Sequence, residues 1–151
     1  MKTIGFIGGM SWESSVVYYQ LANKRVSELA GGNHSCKNIM YTVDFDEIVH
    51  LQHSGQWDKL DDLMADAAVR CEKAGADVIV LCTNTMHICK EAIIRQITVP
   101  FLHIAHATGD AISLWGFKNS VVNLEYIDST NTPKNIEVKS PNFSFNNLIA
   151  L

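Results

Sequence analysis

The regular alternation of short apolar strands with longer helical segments constrains the fold of this chain most. Predicted strands occupy residues 3–7, 38–43, 78–81 and 101–104. Predicted helices run from Ser11 or Ser14 to about Leu29, from Trp57 to Gly75, from about Met86 to Ile97 and from about Thr108 to Leu114. Strands joined through helices pair in parallel, because the helix returns the chain along the sheet. The pattern therefore predicts an α/β fold, a doubly wound parallel sheet with helices on both faces.

The alternation ends near Lys118. Asparagine is frequent beyond this point, and two of the three prolines, Pro133 and Pro141, lie there. Residues 121–122 and 136–138 can each start a strand, but no further strand-helix unit follows. We expect an α/β domain at residues 1–117 and an irregular tail at residues 118–151.

Composition and charge exclude several classes of function. The 151 residues are 47% hydrophobic and 19% charged, with a net charge of −4 and no cluster of lysine or arginine. A chain of this size forms one ordinary domain, and it lacks the basic surface that nucleic-acid binding needs. No apolar run is long enough to cross a membrane, and the start has no signal-peptide shape. The sequence therefore predicts a cytoplasmic protein that binds neither nucleic acid nor membrane.

The four cysteines form neither a CxxC pair nor a zinc-type spacing. A chain without a signal peptide is expected in a reducing compartment, where disulfides are rare. We therefore expect four free thiols, and we interpret Cys36 and Cys71 as structural.

Cys82 has a more informative position, because it ends a buried apolar strand and precedes Thr83, Asn84 and Thr85. Open α/β sheets bind ligands at the carboxyl ends of their strands, so a thiolate base or nucleophile is one interpretation. The start of the following helix is expected to lower the pKa of the thiol. The alternative is an inert buried cysteine, which is among the most buried residue types.

A second group of small residues, Gly8-Gly9-Met10-Ser11, follows the first predicted strand. It is neither a GxGxxG motif nor a P-loop, since the spacing and the Gly-Lys pair are absent. Its backbone N–H groups and the hydroxyls of Ser11 or Ser14 can hold a carboxylate or phosphate. It can equally be an ordinary strand-to-helix turn with a cap.

Three histidines, His87, His103 and His106, invite a metal interpretation together with Cys82 and Cys89. None of their spacings is a standard zinc pattern. Structural histidines explain them better, and we predict no metal site.

Three acidic residues, Asp44, Asp46 and Glu47, follow the second predicted strand. They can form an acid–base or metal-binding cluster. They are better explained as acids at the start of a helix, where the helix dipole favours negative charge.

Four segments together resemble the aspartate/glutamate racemase family, and most closely its bacterial members with a GGMSWES motif. The segments are IGFIGGMSWESS at 4–15, VDF at 43–45, VLCTNTMH at 80–87, and PFLHI at 100–104 followed by ATG at 107–109. The combination of GGMSWES with CTNT is specific, whereas either motif alone is weak. The resemblance covers residues 1–116.

The resemblance implies two similar α/β domains with the site between them, and no cofactor or metal. One thiolate removes the α-proton of an acidic amino acid, and a second thiol returns a proton to the opposite face. Cys82 matches the first of these cysteines. The substrate-binding residues that the resemblance implies are Met10, Ser11, Ser14, Gln52, Thr83, Asn84 and Thr85.

The chain departs from the family in one large respect. The second family domain has a Gly-Cys-Thr-Glu-like motif with the partner cysteine, and no such motif occurs here. We therefore expect the N-terminal half of the family fold, with the second domain missing and weak or absent racemisation of aspartate or glutamate. A homodimer can place a second Cys82 across a twofold axis. The alternatives are a non-catalytic module that binds small carboxylates and an inactive truncated homologue.

Overall fold

The computed structural model describes residues 1–114, 121–127 and 133–139, with side chains up to residue 112. Four parallel strands form one sheet in the order β2-β1-β3-β4. These strands are β1 (Ile4–Gly8), β2 (Asn38–Thr42), β3 (Val78–Leu81) and β4 (Phe101–Leu102). The predicted α/β fold with a parallel sheet is confirmed.

The helices connect these strands, and all of them except α2 fall where periodicity predicts a helix. They are α1 (Trp12–Ala30), α2 (Phe45–His53), α3 (Trp57–Lys73), the 3₁₀ turn Thr85–Cys89, α4 (Lys90–Gln96) and α5 (Ile104–Leu114). None of the described helices is long and apolar enough to cross a membrane.

Two apolar clusters cover the two faces of the sheet, because successive strand residues point to opposite sides. Ile7, Ile79 and Leu81 belong to the larger cluster, which also contains the buried side chains of α2, α3 and α4. Phe6, Val80 and Cys82 form the smaller cluster beneath α1. The end of β3 therefore directs its thiol toward α1.

The contact between α1 and the sheet is loose. Ser15 is the one buried side chain of this 19-residue helix. An apolar groove of about 1140 Å³ runs between the helix and the sheet. Among residues 1–112, six of the nine exposed large apolar side chains lie on α1; they are Trp12, Val16, Val17, Tyr19, Leu21 and Leu29.

The acidic residues after β2 start α2, as the helix interpretation predicts. The Asp44 carboxylate accepts a hydrogen bond of 3.2 Å from the Asp46 N–H, and Asp46 and Glu47 lie in the first turn. All three are exposed at the sheet edge. Asp44 thus provides an acceptor for one of the free N–H groups of the first turn. The negative charges of all three side chains interact favourably with the positive end of the helix dipole.

Two helix predictions need correction. The helix predicted from Met86 to Ile97 is a 3₁₀ turn followed by α4, which ends at Gln96. The helix predicted from Thr108 begins at Ile104, and β4 stops at Leu102. The side chain of His103 accepts from the Ala105 N–H, so that residue caps a helix instead of extending a strand.

The tail contains an antiparallel hairpin of β5 (Val121–Ile127) and β6 (Pro133–Lys139). The two predicted strand starts, at residues 121–122 and 136–138, fall within it. The predicted domain boundary at residues 117–118 lies outside the described residues, as do residues 128–132 and 140–151 of the predicted tail.

Candidate functional site at the carboxyl edge of the sheet

The order of the strands marks the edge of the sheet at which open α/β folds form a ligand crevice. From β1 the chain passes through α1 to β2 on one side, whereas β3 lies on the other side of β1. The connections after β1 and β3 therefore diverge to opposite faces, and ligands of open α/β sheets bind where this happens. Two segments border the crevice: the first loop, residues 8–11, and the Cys82 loop, residues 82–85.

Close backbone packing determines the first loop. Gly9 has φ = 98°, and a Cβ at this position would lie 2.3 Å from the Val43 carbonyl oxygen. Only glycine fits there. The buried Ser15 hydroxyl accepts a 2.9 Å hydrogen bond from the Gly9 N–H and donates to the Ser11 carbonyl at 3.2 Å. Ser15, which was not among the predicted site residues, therefore clamps the loop from the first turn of α1.

Ser14 links the two loops. Its hydroxyl lies 2.8 Å from the Cys82 carbonyl oxygen and 2.9 Å from the Ser11 carbonyl oxygen, and its one proton is shared between these two acceptors. The Cys82 N–H in turn donates to the Ile7 carbonyl at 2.9 Å. The Cys82 N–H is thus held by β1, and the Cys82 carbonyl is held by the first turn of α1.

The Cys82 thiol is fully buried, with 0% of its surface exposed, and Tyr18 of α1 packs against its cluster. Burial raises the pKa of this thiol to about 12, with a smaller contribution from Cys71. The predicted lowering of the pKa by a following helix is wrong. A short 3₁₀ turn follows instead, and loss of hydration disfavours the thiolate more strongly.

The remaining residues of the Cys82 loop are accessible. Thr83 and Thr85 are half-buried, and Asn84 is exposed. The Asn84 side chain makes no capping hydrogen bond to the 3₁₀ turn that it precedes. Two hydroxyls and one amide therefore stand at the crevice beside the thiol-bearing strand.

Met10, Ser11 and Gln52 flank these groups in different ways. Met10 is buried in the larger core cluster, whereas Ser11 is half-buried ahead of α1. The Gln52 side chain of α2 lies 3.4 Å from the sulfur of Met86 in the 3₁₀ turn. The structure therefore brings the predicted residues of three segments to one edge of the sheet.

His87 is a residue that the sequence argument did not assign to the site. Its ring is 1% exposed, and Nδ1 lies 2.8 Å from the Thr83 carbonyl oxygen. Its Nε2 accepts a 3.2 Å hydrogen bond from the Ile104 N–H. Burial lowers the pKa of His87 to about 4, so the ring is neutral near pH 7.

His103 and His106 continue this group of rings. The centroid of His103 is 4.5 Å from that of His87 and 5.3 Å from that of His106. Burial, and then the neighbouring His87, lower the pKa of His103 to about 3. Within the part of the chain that the structure describes, no three His, Cys, Asp or Glu residues are grouped so that they could hold a metal ion.

The other three thiols are buried elsewhere than at this end of the strands. Cys71 and Cys89 belong to the larger cluster on the opposite face of the sheet. Cys36 lies just before β2, at the amino end of the strands. Cys82 is therefore the one thiol of the described residues that ends a strand at the crevice.

Comparisons with known proteins identify the family and the fold. The family model described as Asp/Glu/Hydantoin racemase matches residues 7–128. An Asp/Glu racemase candidate from Yersinia pestis is 48% identical, with a TM-score of 0.74, over 77% of this chain and 50% of that chain. An aspartate racemase homologue from Pyrococcus horikoshii OT3 is 30% identical, with a TM-score of 0.67, over the same shares of both chains.

A further relative covers a shorter segment. The broad specificity amino-acid racemase RacX of Bacillus subtilis (strain 168) is 41% identical over 51 residues, which are 34% of this chain and 22% of RacX. The match to each of the two solved structures covers half of that structure's chain.

Proposed function

Because this chain belongs to the Asp/Glu/Hydantoin racemase family, we propose that it binds an acidic amino acid and exchanges its α-proton through Cys82, without a cofactor. The observation that carries the proposal is the position of Cys82. It directly follows β3, which pairs with β1, and Ser14 joins it to the first loop. The names of the similar proteins, an aspartate racemase homologue and an amino-acid racemase, favour this substrate class.

In this proposal the two loops hold the charged ends of the substrate. The hydroxyls of Ser11, Thr83 and Thr85 donate to carboxylate oxygens, and the Asn84 amide both donates and accepts. Gln52 contributes an amide from α2, and Met10 forms an apolar wall. Ser14 acts on the backbone, because its hydroxyl donates to the Cys82 and Ser11 carbonyls.

The chemistry that Cys82 performs is proton transfer at the α-carbon. With a pKa of about 12, Cys82 is a neutral thiol near pH 7, and a neutral thiol can donate a proton to a substrate carbanion. To accept the α-proton, the sulfur must first be the thiolate. The ammonium group of a bound amino acid stabilises a nearby thiolate by Coulomb attraction, so that substrate binding lowers this pKa.

Inversion of the α-carbon needs a second proton donor on the opposite face. A second copy of this chain provides one if the carboxyl edges of two sheets meet across a twofold axis. The exposed apolar side chains of α1 give two copies a surface to bury. Without such a partner, we expect racemisation to be weak or absent.

Proton NMR in D₂O, with a chiral analysis of the same samples, tests this function. Incubation of L-aspartate or L-glutamate with the chain should remove the α-proton signal, and Cys82→Ser should retain it. Appearance of the D-enantiomer shows a two-sided site. Exchange that survives Cys82→Ser would contradict the assigned role of the thiol.

The second candidate function is binding of a small carboxylate without turnover. The burial of Cys82 as a neutral thiol favours it, because a pKa of about 12 leaves little thiolate near pH 7. Calorimetry should then show saturable binding of aspartate with unchanged substrate, and Cys82→Ser should bind equally well. Absence of binding by wild type excludes both candidate functions.

A further inference from the structure

The imidazole of His87 is held by two hydrogen bonds of opposite direction. The Ile104 N–H is a donor, so Nε2 must carry the lone pair that accepts it at 3.2 Å. The ring proton is therefore on Nδ1, where it is donated to the Thr83 carbonyl at 2.8 Å. The neutral Nδ1–H tautomer is the form that satisfies both partners.

These two bonds connect segments that are distant in sequence. Thr83 lies in the Cys82 loop, between Cys82 and Asn84, and Ile104 begins α5. The first N–H groups of a helix have no partner inside it. His87 accepts from the N–H of Ile104, and His103 accepts from the N–H of Ala105, so two imidazoles satisfy consecutive donors of α5.

We propose that His87 is a positioning residue for the substrate-binding loop: its Nδ1–H fixes the Thr83 carbonyl, and its Nε2 anchors the ring to α5. The bond to Thr83 determines the plane of the Thr83–Asn84 peptide. It thereby aims the Asn84 amide and the following N–H groups at the crevice. This role rests on the proposed function, because it presupposes that residues 83–85 contact the substrate.

The geometry separates this role from that of a general base. Both ring nitrogens of His87 are engaged with backbone groups, and the ring is 1% exposed. A base needs a lone pair that faces its proton donor. The one lone pair of this ring is directed at α5, so His87 acts through the loop and not on the substrate.

Two substitutions of His87 each retain one of the two hydrogen bonds and remove the other. In His87→Asn, the amide nitrogen occupies roughly the place of Nδ1 and can donate to Thr83. In His87→Gln, the amide oxygen reaches the place of Nε2 and can accept from Ile104. Each variant loses one hydrogen bond, so a purely structural role predicts similar losses of thermal stability and similar effects on the loop. His87→Phe retains a ring without either bond and gives the reference for both losses.

Hydrogen exchange of the Asn84, Thr85 and Met86 amides, followed by NMR without ligand, is the first readout. We expect His87→Asn to match wild type within a few-fold, and His87→Gln to exchange about tenfold faster, the effect of one lost hydrogen bond. Calorimetric Kd values for L-aspartate should show the same ranking. Equal effects of the two variants would overturn the assignment.

A measurement on the wild-type protein tests the proposal independently if a variant fails to fold. The nitrogen chemical shifts of the His87 ring report which nitrogen carries the proton, and a proton on Nε2 overturns the proposal. Loop exchange and tautomer are measured without substrate. A chain that keeps the predicted exchange pattern but binds no aspartate therefore refutes the proposed function and leaves the positioning of the loop intact.

Discussion

At the scale of single residues, the environment of Cys82 determines more than its chemical type does. The sequence places a thiol at the end of a strand, where active-site groups of parallel sheets are common. The structure turns that thiol beneath α1, against Tyr18, Phe6 and Val80. A sulfur in this position remains protonated because it lacks water, although its backbone borders the crevice.

The first prediction concerns the reactivity of this thiol. With a pKa of about 12, the thiolate fraction of Cys82 at pH 8 is on the order of a thousandfold below that of a free cysteine. Alkylation by iodoacetamide, followed by mass spectrometry of the Cys82 peptide, should be correspondingly slow in the folded chain. Labelling in denaturant is the control, and rapid labelling of native Cys82 contradicts the buried position.

The second prediction concerns the first loop. In Gly9→Ala, the added Cβ meets the Val43 carbonyl at a positive φ, so unfolding by urea should show a loss of more than about 2 kcal/mol. Gly32→Ala is the matched control, since Gly32 also has a positive φ but no atom within 4 Å of the new Cβ. It should cost about 1 kcal/mol. Equal losses in the two variants mean that the contact with Val43 is unimportant.

At the scale of elements, the N-terminus of α5 depends on two neutral histidines. His87 and His103 each accept a hydrogen bond from a backbone N–H, and a protonated ring cannot do so at the same nitrogen. Their ring centroids are 4.5 Å apart, so two positive charges would also repel. His106 of α5 and Lys90 of α4 add further positive charge near His103.

The third prediction is therefore a loss of stability in acid. The pKa of His87 falls to about 4 and that of His103 to about 3 in the folded chain, against about 6.5 when unfolded. Below pH 6.5 the unfolded state takes up protons first, so the free energy of unfolding falls as the pH falls. The slope approaches about 1.4 kcal/mol per pH unit for each histidine, down to the folded pKa.

Urea unfolding at pH 7.5, 6, 5 and 4.5 measures this slope. His87→Phe should remove about half of it, because one of the two titrating rings is gone. His34→Phe is the control, since His34 is exposed and lies in the connection between α1 and β2. A slope that His87→Phe leaves unchanged would assign the acid sensitivity to other groups.

The sequence predicts helices and strands well where the apolar pattern of a segment indicates one type of element. Residues 78–81 are a continuous apolar run, and β3 has these bounds. The segment after it is harder to predict, because the helical period of residues 86–97 does not reveal a 3₁₀ turn. That turn forms where the His87 ring bonds to Thr83 and Ile104, and a contact across 17 positions has no local sequence signal.

The candidate site is also only partly predictable from the sequence. The residue types of the two loops are visible in the sequence, because Gly, Ser, Thr and Asn follow apolar strands. The direction of the Cys82 pKa is not visible, since it depends on how closely α1 and Tyr18 cover the sulfur. The clamp by Ser15 is equally hidden, although its position one turn after Ser11 is typical of a side chain that bonds back to the loop.

At the scale of the whole molecule, α1 carries most of the exposed large apolar side chains among residues 1–112. Six large apolar side chains of this helix are exposed, and a groove separates it from the sheet. Clustered apolar surface of this kind is typical of interaction sites. We therefore expect α1 to contribute to the proposed contact between two copies.

The fourth prediction tests that contact. Leu21→Glu places a charge at a side chain that is 60% exposed, so the monomer should change in stability by less than about 0.5 kcal/mol while self-association is lost. Gln20→Glu introduces a charge at the neighbouring exposed position and should leave association unchanged. Sedimentation velocity over a range of concentrations distinguishes the two. A wild-type chain that is monomeric throughout refutes the contact.

The central position of β1 has a consequence for how the protein is made. Ile4 of β1 pairs with Asn38 of β2 and with Val78 of β3, so this inner strand of the sheet leaves the ribosome before either neighbour exists. Translation from Ile4 to Leu81 takes on the order of 4–15 s at usual rates. Until β2 follows, β1 has no strand to pair with, and its second neighbour, β3, is the last of the three to be made. We therefore expect one edge of β1 to stay unpaired until translation has passed Leu81.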